Sequence, residues 1–471
     1  MKILVNHITD IAQSLGKYLY IQKNKKQKNK KQKTKSKKQK TKKTKKTKKT
    51  KKTKKTKKQL FFIIILYMFL TLNKWLSLFK SKPVTYNYFK NNLKIKKGNG
   101  TILLVKDLDK KISENFFKIL YKILITGKNI YLINFFNRNL LIKDVNFSLC
   151  VDNNKFTENK NVVRNLYYKE ILQDTGTSQP NLRSYLEVLI DLFKYHILDY
   201  KLLTPSGISM IENNKLSSIL SGFYFKASIM NPIVPYSLSK LYDYNFKVLT
   251  PTLGWSSYLL GMLHNEHLNT YIGIDVIKKV CDNTRKICKQ NNTLCDIYCK
   301  PSEDLYIDNK FMSKYKSDID FVFFSPPYYE LELYNGNEQS TNRYKSYQEW
   351  LEKYWKATMK LCYECLKNNR FMMYIISGYN DKGNYVDLEK DMNKITKEVG
   401  FNYITKLKMK GSNVGITTHR TVNEQIFIFS KGNCDKKELN KHINKLKCEK
   451  KNKKQKTKKQ KTKNKKIKIN K

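Results

Sequence analysis

Phe246-Lys247-Val248-Leu249-Thr250-Pro251-Thr252-Leu253-Gly254-Trp255 is the stretch on which the reading of this chain turns. Its first five residues read as a short buried strand, and Pro251 to Trp255 then bend sharply into the helical pattern of Tyr258-Leu259-Leu260-Gly261-Met262-Leu263. A strand, a glycine-containing turn and a helix form a cradle for a nucleotide, because the turn lets the ligand approach the backbone at the helix N-terminus. Thr270-Tyr271-Ile272-Gly273-Ile274-Asp275 follows as a second strand. It ends in a carboxylate about 20 residues after the glycine turn, where a ribose hydroxyl pair is usually held.

Further along, the apolar run Ile319-Asp320-Phe321-Val322-Phe323-Phe324 reads as another buried strand, and it ends in Ser325-Pro326-Pro327-Tyr328. Two consecutive prolines fix φ and supply no N–H, so the carbonyls and the Ser325 hydroxyl at this strand end are left to accept hydrogen bonds. Tyr328 adds a ring for stacking. Together these features grip a planar amine. The tetrapeptide by itself is also an ordinary strand-terminating loop, and its weight comes from the cradle upstream.

In that order and spacing, the chain resembles the S-adenosylmethionine-dependent amino-methyltransferases of DNA. Their cofactor loop reads roughly D-P-x-x-G-x-G and their catalytic loop [D/N/S]-P-P-[Y/F/W]. The resemblance runs from about Phe225 to Lys431. It implies an α/β fold, the class I methyltransferase doubly wound sheet of seven strands with the last antiparallel. It also implies S-adenosylmethionine as cofactor, held by Thr250, Pro251, Gly254, Trp255 and Asp275, with Glu303 or its neighbour Asp304 near the adenine amine. Ser325, Pro326, Pro327 and Tyr328 carry the catalytic motif, and no metal is required. Two positions depart from the family pattern. Thr250 stands where an acid is usual, and has no charge to offer the methionine ammonium. Ser256 stands where a second glycine is common.

The chemistry that the resemblance implies is methyl transfer to the exocyclic amino group of a DNA base. Such an amine has its lone pair delocalised into the ring, so the site must accept both amine protons and set the nitrogen in line with the methyl. Ser325 and the Pro326 carbonyl are the acceptors, and Tyr328 is placed to stack on a base turned out of its helix. A serine in first position is commoner in the cytosine enzymes of the family, an acid in the adenine enzymes. RNA and protein-amide methyltransferases use similar loops, so those substrates stay open. So does a degenerate, inactive core that acts as a basic nucleic-acid-binding protein.

The ends of the chain read differently from its middle. Of 471 residues, Lys23–Lys58 hold 23 lysines and Lys450–Lys471 hold 13, neither with an acid, so these two segments carry 36 of the net charge of +56. They lack apolar surface to offset chain entropy and are expected to be disordered. Lysine tracts of this kind reflect composition bias or a polyanion-binding arm. Residues 59–449 keep about +19, which favours DNA, or RNA, as a partner. The expected organisation is a lysine-rich tail over 1–58, an apolar helix over 59–82, a small α+β region over 83–205, the methyltransferase domain over 206–433 and a second tail over 434–471.

Leu60 to Leu72, extended to Phe79, is a run of nearly 20 apolar residues interrupted by Lys74. We read it as a buried or surface-docked helix in preference to a membrane segment. Strands are expected at Gly100–Val105 and Asn129–Ile133, and a helix with one apolar face over Arg183–Leu202. After the catalytic loop come a helix over Ser346–Leu366, a strand at Phe371–Ile376, a helix over Asp387–Val399, and two strands near Asn402–Met409 and Glu424–Phe429. No large insert separates the two motifs. Target recognition therefore falls to the N-terminal region, to Tyr329–Tyr347, or to the loop Gly411–Asn423 with Arg420. Among nine cysteines, Cys362 and Cys365 have a CxxC spacing that reads as one helix face, and the odd count without a secretory signal suggests a reducing intracellular compartment. Oligomeric state is not legible.

Overall fold

The structure is a computed structural model that describes residues 79, 84–126, 149–156, 158–176, 183–334, 336–381, 384–410, 424–434 and 436–447. Both lysine tracts, the apolar run as far as Leu78, the expected strand at Asn129–Ile133 and the loop Gly411–Asn423 lie outside the described residues.

The first four strands are short: β1 (Lys94–Lys96), β2 (Ile102–Leu104), β3 (Thr175–Gly176) and β4 (Ile197–Asp199). β1 pairs antiparallel with β2 and parallel with β4. The helix expected over Arg183–Leu202 covers only Tyr185–Tyr195. Ser184 and Glu187 form a reciprocal capping box at its start, and His196 ends it in the left-handed region at φ 53°. Ile197, within the span expected to be helical, instead opens β4. Apolar periodicity alone did not reveal the stop, because the residue that breaks the helix is a histidine and not the usual glycine.

The main sheet has seven strands in the order β13-β14-β10-β8-β5-β6-β7. They are β5 (Phe246–Thr250), β6 (Leu268–Asp275), β7 (Leu294–Cys299), β8 (Ile319–Phe324), β10 (Leu366–Ile376), β13 (Asn402–Lys408) and β14 (Gln425–Lys431). β14 runs antiparallel to both β10 and β13, and every other pairing in the sheet is parallel. Three two-to-three-residue strands stand apart: β9 (Leu333–Tyr334) and the hairpin β11 (Tyr379–Asp381) with β12 (Asn384–Val386).

β8 is buried at all six positions, as a continuous apolar run covered on both faces must be. Its single acid, Asp320, is satisfied: its carboxylate accepts the Lys247 N–H at 2.9 Å and the Lys367 ammonium at 2.8 Å. Chain order reverses between β5 and its neighbours β6 and β8, so the carboxyl ends of β5 and β8 flank the crevice where such sheets bind ligands.

Part of the tail expected over 434–471 is helical. Lys436–Lys447 form a helix whose Leu439, His442, Ile443 and Leu446 are buried, and the His442 ring nitrogen lies 2.9 Å from the Ser237 carbonyl. The lysines of this segment hid an i, i+3, i+4, i+7 buried face. A disulfide joins Cys288 to Cys295, a pairing the cysteine count did not suggest. Cys362 and Cys365 are fully buried on the helix Lys356–Cys365.

Candidate active site

Two loops leave the sheet at the reversal point, one after β5 and one after β8, and they are bonded to each other. The Thr252 hydroxyl donates to the Ser325 carbonyl at 3.0 Å, and the Ser325 N–H donates to the Tyr258 hydroxyl at 3.1 Å. Tyr258 belongs to the helix Ser257–Met262 that follows the glycine turn. Its ring lies so close under Gly254 that a Cβ there would sit 2.2 Å from it. Gly254 also has φ +50°, so only glycine suits the position on both counts. Tyr258 and Thr252 were missed from the sequence; nothing in their spacing marks them, because each acts through a partner about 70 residues away.

The turn after β5 is unusual in its backbone. Gly254, Trp255 and Ser256 are three successive left-handed residues, with φ of 50°, 57° and 58°. Each non-glycine residue held there costs on the order of 1–3 kcal/mol, which packing must offset. The packing is present. Trp255 is buried between Tyr167 and Tyr334, with ring centroids 5.7 Å from each. Ser256 is fully buried and bonds the hydroxyls of Tyr167 and Thr284. Pro251 is buried at the start of the turn.

Thr250 is the last residue of β5. It is fully buried and its hydroxyl donates to the Tyr271 hydroxyl at 2.8 Å. Asp275, at the end of β6, is the acid that does reach the turn: its two oxygens accept the Leu253 N–H at 3.1 Å and the Ile277 N–H at 2.9 Å. Burial pushes its pKa up to about 6, against the pull of the backbone N–H groups of Ile277, Leu253 and Val276. The carboxylate is thereby fixed in orientation with lone pairs to spare, and as a donor set it fits a ribose hydroxyl pair. A methionine ammonium finds no matching charge at Thr250.

Glu303 and Asp304 lie in the short helix Ser302–Leu305, just past β7. The Arg343 guanidinium clamps both, donating to Glu303 and Asp304 at 2.8 Å each, and the Tyr344 hydroxyl donates to Glu303 at 3.1 Å. Burial raises the Glu303 pKa, with Arg343 opposing. The nominated adenine-side acid is thus held by the segment nominated for target recognition.

On the amine side, Pro326 is buried and Pro327 half-buried. The Ser325 hydroxyl donates to the Ile375 carbonyl at 3.1 Å, which commits its proton and leaves the oxygen as an acceptor. Tyr328 differs from the open platform expected. Its ring is 5% exposed and its hydroxyl donates at 3.1 Å to Glu424, the residue before β14. Tyr329, with φ 49°, turns out of the loop onto Tyr347 and Trp350.

The N-terminal region touches this face in two places. β3 pairs antiparallel with β9, in the segment after the catalytic loop, and Asp152 bridges Lys410, at the margin of the loop Gly411–Asn423. Phe225 is bound through its backbone to Arg183 and Tyr185 and lies in the interior.

No family model and no curated protein matches the chain. Among solved structures it is similar to the [4+2]-cyclase SpnF (9% identity, 44% of this chain and 83% of that one, TM-score 0.31). It is also similar to a methyltransferase from Pyrococcus furiosus (15% identity, 43% and 84%, TM-score 0.29) and to an S-adenosylmethionine-dependent methyltransferase from Methanosarcina mazei (10% identity, 41% and 96%, TM-score 0.29). Strand order, the single antiparallel strand and the reversal point together make the sheet a class I methyltransferase fold.

Proposed function

We propose that the chain transfers a methyl group from S-adenosylmethionine to the exocyclic amino group of a DNA base, cytosine or adenine. The observation that carries this reading is the direct bonding of the two loops, Thr252 to Ser325 and Ser325 to Tyr258, at the carboxyl ends of adjacent strands. A donor cradle and an amine acceptor separated by one hydrogen bond suit a direct displacement without a covalent enzyme intermediate.

When bound, S-adenosylmethionine supplies an electrophilic methyl on sulfur. Asp275 would hold its ribose and the Gly254 turn its chain. The Ser325 oxygen and the Pro326 carbonyl would accept the two amine hydrogens, drawing the nitrogen toward a pyramidal shape with its lone pair directed at the methyl. Tyr328 would stack on the base once the residues covering its ring move aside. The positive charge of residues 59–449 supports a nucleic-acid target.

A second reading rests on one observation, the burial of Thr250 with its hydroxyl turned to Tyr271. A core with no partner for the methionine ammonium would be a basic nucleic-acid-binding protein without activity. Incubation with labelled methyl donor and separate pools of DNA, RNA and protein, followed by digestion to nucleosides or amino acids, decides among these. Label on a DNA base amine is the expected result. Label on RNA or a protein amide moves the substrate, and no label together with no donor binding at millimolar concentration leaves the inactive core.

A further inference from the structure

Tyr354 belongs to neither motif, yet its helix packs against the short helix that carries Glu303. It sits in a π-helical turn, Leu351–Trp355, inside the helical run from Tyr347 to Cys365. Such turns are rare, have poorer hydrogen-bond geometry and are frequent at functional sites, where they re-aim side chains. Here the turn sends two tryptophans different ways. Trp355 packs on Phe324 and Tyr374, while Trp350 packs on Tyr329 and donates to the Ser340 hydroxyl at 3.0 Å. Tyr354 lies against Trp350, ring centroids 5.1 Å apart. One turn on, the Thr358 hydroxyl lies 2.9 Å from the Ser302 hydroxyl, so this face of the helix looks at the short helix that carries Glu303.

The Tyr354 side chain is 4% exposed, and its buried hydroxyl has no hydrogen-bond partner among the described residues. Leaving a buried hydroxyl unpaired is costly and uncommon in native proteins, so such a group calls for a partner that a ligand can supply. Its surroundings say which ligand. Apart from Cys362, the groups acting on it are Glu303 after β7, Asp275 at the end of β6 and Tyr258 under the glycine turn. Two of these are the acids nominated for the purine and the ribose of the donor.

We propose that Tyr354 donates its hydroxyl to a ring nitrogen of the purine in the methyl donor, an inference that rests on the reading of Asp275 as the ribose acid. Burial, with the nearby Glu303 and Asp275 carboxylates, holds the phenol well above its ordinary pKa, so it is a neutral O–H and a donor at every working pH. It is a binding residue, and purine selectivity follows from it: a base without an acceptor at that point leaves the hydroxyl unpaired.

The test is equilibrium binding of S-adenosylhomocysteine, and of its deaza analogues that each lack one ring nitrogen, to the full chain and to Tyr354→Phe. The substitution is expected to weaken S-adenosylhomocysteine about tenfold, the size of one buried neutral hydrogen bond. One deaza analogue should weaken the unaltered protein by the same factor and bind both proteins alike. The melting temperature of ligand-free Tyr354→Phe should be no lower, since no internal bond is lost. Equal binding of S-adenosylhomocysteine by both proteins overturns the Tyr354 contact and leaves the donor site standing. A uniform loss for every analogue with a lower melting temperature overturns it in favour of a structural role. Failure of the unaltered protein to bind at millimolar ligand overturns both this inference and the donor site.

Discussion

The turn after β5 and the loop after β8 meet through two hydrogen bonds but are made rigid by opposite means. After β8, two prolines set the backbone without side-chain help, and the Ser325 hydroxyl spends its proton on Ile375. After β5, three successive left-handed residues are held by what surrounds them: Trp255 by two tyrosines, Ser256 by two hydroxyls, Gly254 by the ring beneath it. One loop is stiff by its own covalent structure and the other by its neighbours. The acceptor geometry is therefore local and legible, while donor-side affinity depends on a remote carboxylate, Asp275.

The sharpest way to break this contrast is Asp275→Ala. Loss of two hydrogen bonds to a charged acceptor should weaken S-adenosylhomocysteine by on the order of a hundredfold or more in calorimetric titration. An unchanged affinity would mean that the turn after β5 holds the donor without its carboxylate. Ser325→Ala probes the other loop. It should lower kcat on the order of tenfold while leaving donor affinity alone, the pattern of an interaction made to the reacting amine.

Acidity separates the two loops again. Asp275 has its pKa raised to about 6, so donor binding, which needs the carboxylate, should fall about tenfold per pH unit below that value. The ligand-free fold responds with the opposite sign. A raised carboxyl contributes stability that is complete below its unfolded pKa and is lost as pH rises through about 6. Binding isotherms and melts across pH 5 to 7 should therefore move in opposite directions. The smallest effect is expected of Thr250→Val. It leaves the Tyr271 hydroxyl without its donor, so stability should drop by about 1 kcal/mol in denaturant unfolding with no change in donor affinity. Weaker donor binding would show that Thr250 reaches the ligand after all.

The sheet was legible because its strands are apolar runs bounded by turns, and the two motifs mark where chain order reverses. β8 and its prolines needed no tertiary information. Thr250 shows what the sequence leaves out: its position in the motif matches a ligand-binding acid, while its hydroxyl bonds Tyr271 in the interior, and sequence does not report which partner a strand's last residue takes. Tyr258 and Arg343 were invisible because each works on a group far away in sequence. The helix Lys436–Lys447 was hidden by lysine content, which outweighed three apolar positions and a buried histidine at helical spacing.

The pairing of β3 with β9, and of Asp152 with Lys410, sets an order of assembly. The segments that carry β3 and Asp152 leave the ribosome early and must wait for partners encoded far downstream. Until those arrive, the early strand edges stay unsealed, a high-contact-order closure that is slow and open to self-association. Maturation of the crevice is thus a late event in synthesis, completed when segments beyond residue 332 have been threaded back onto segments before residue 177.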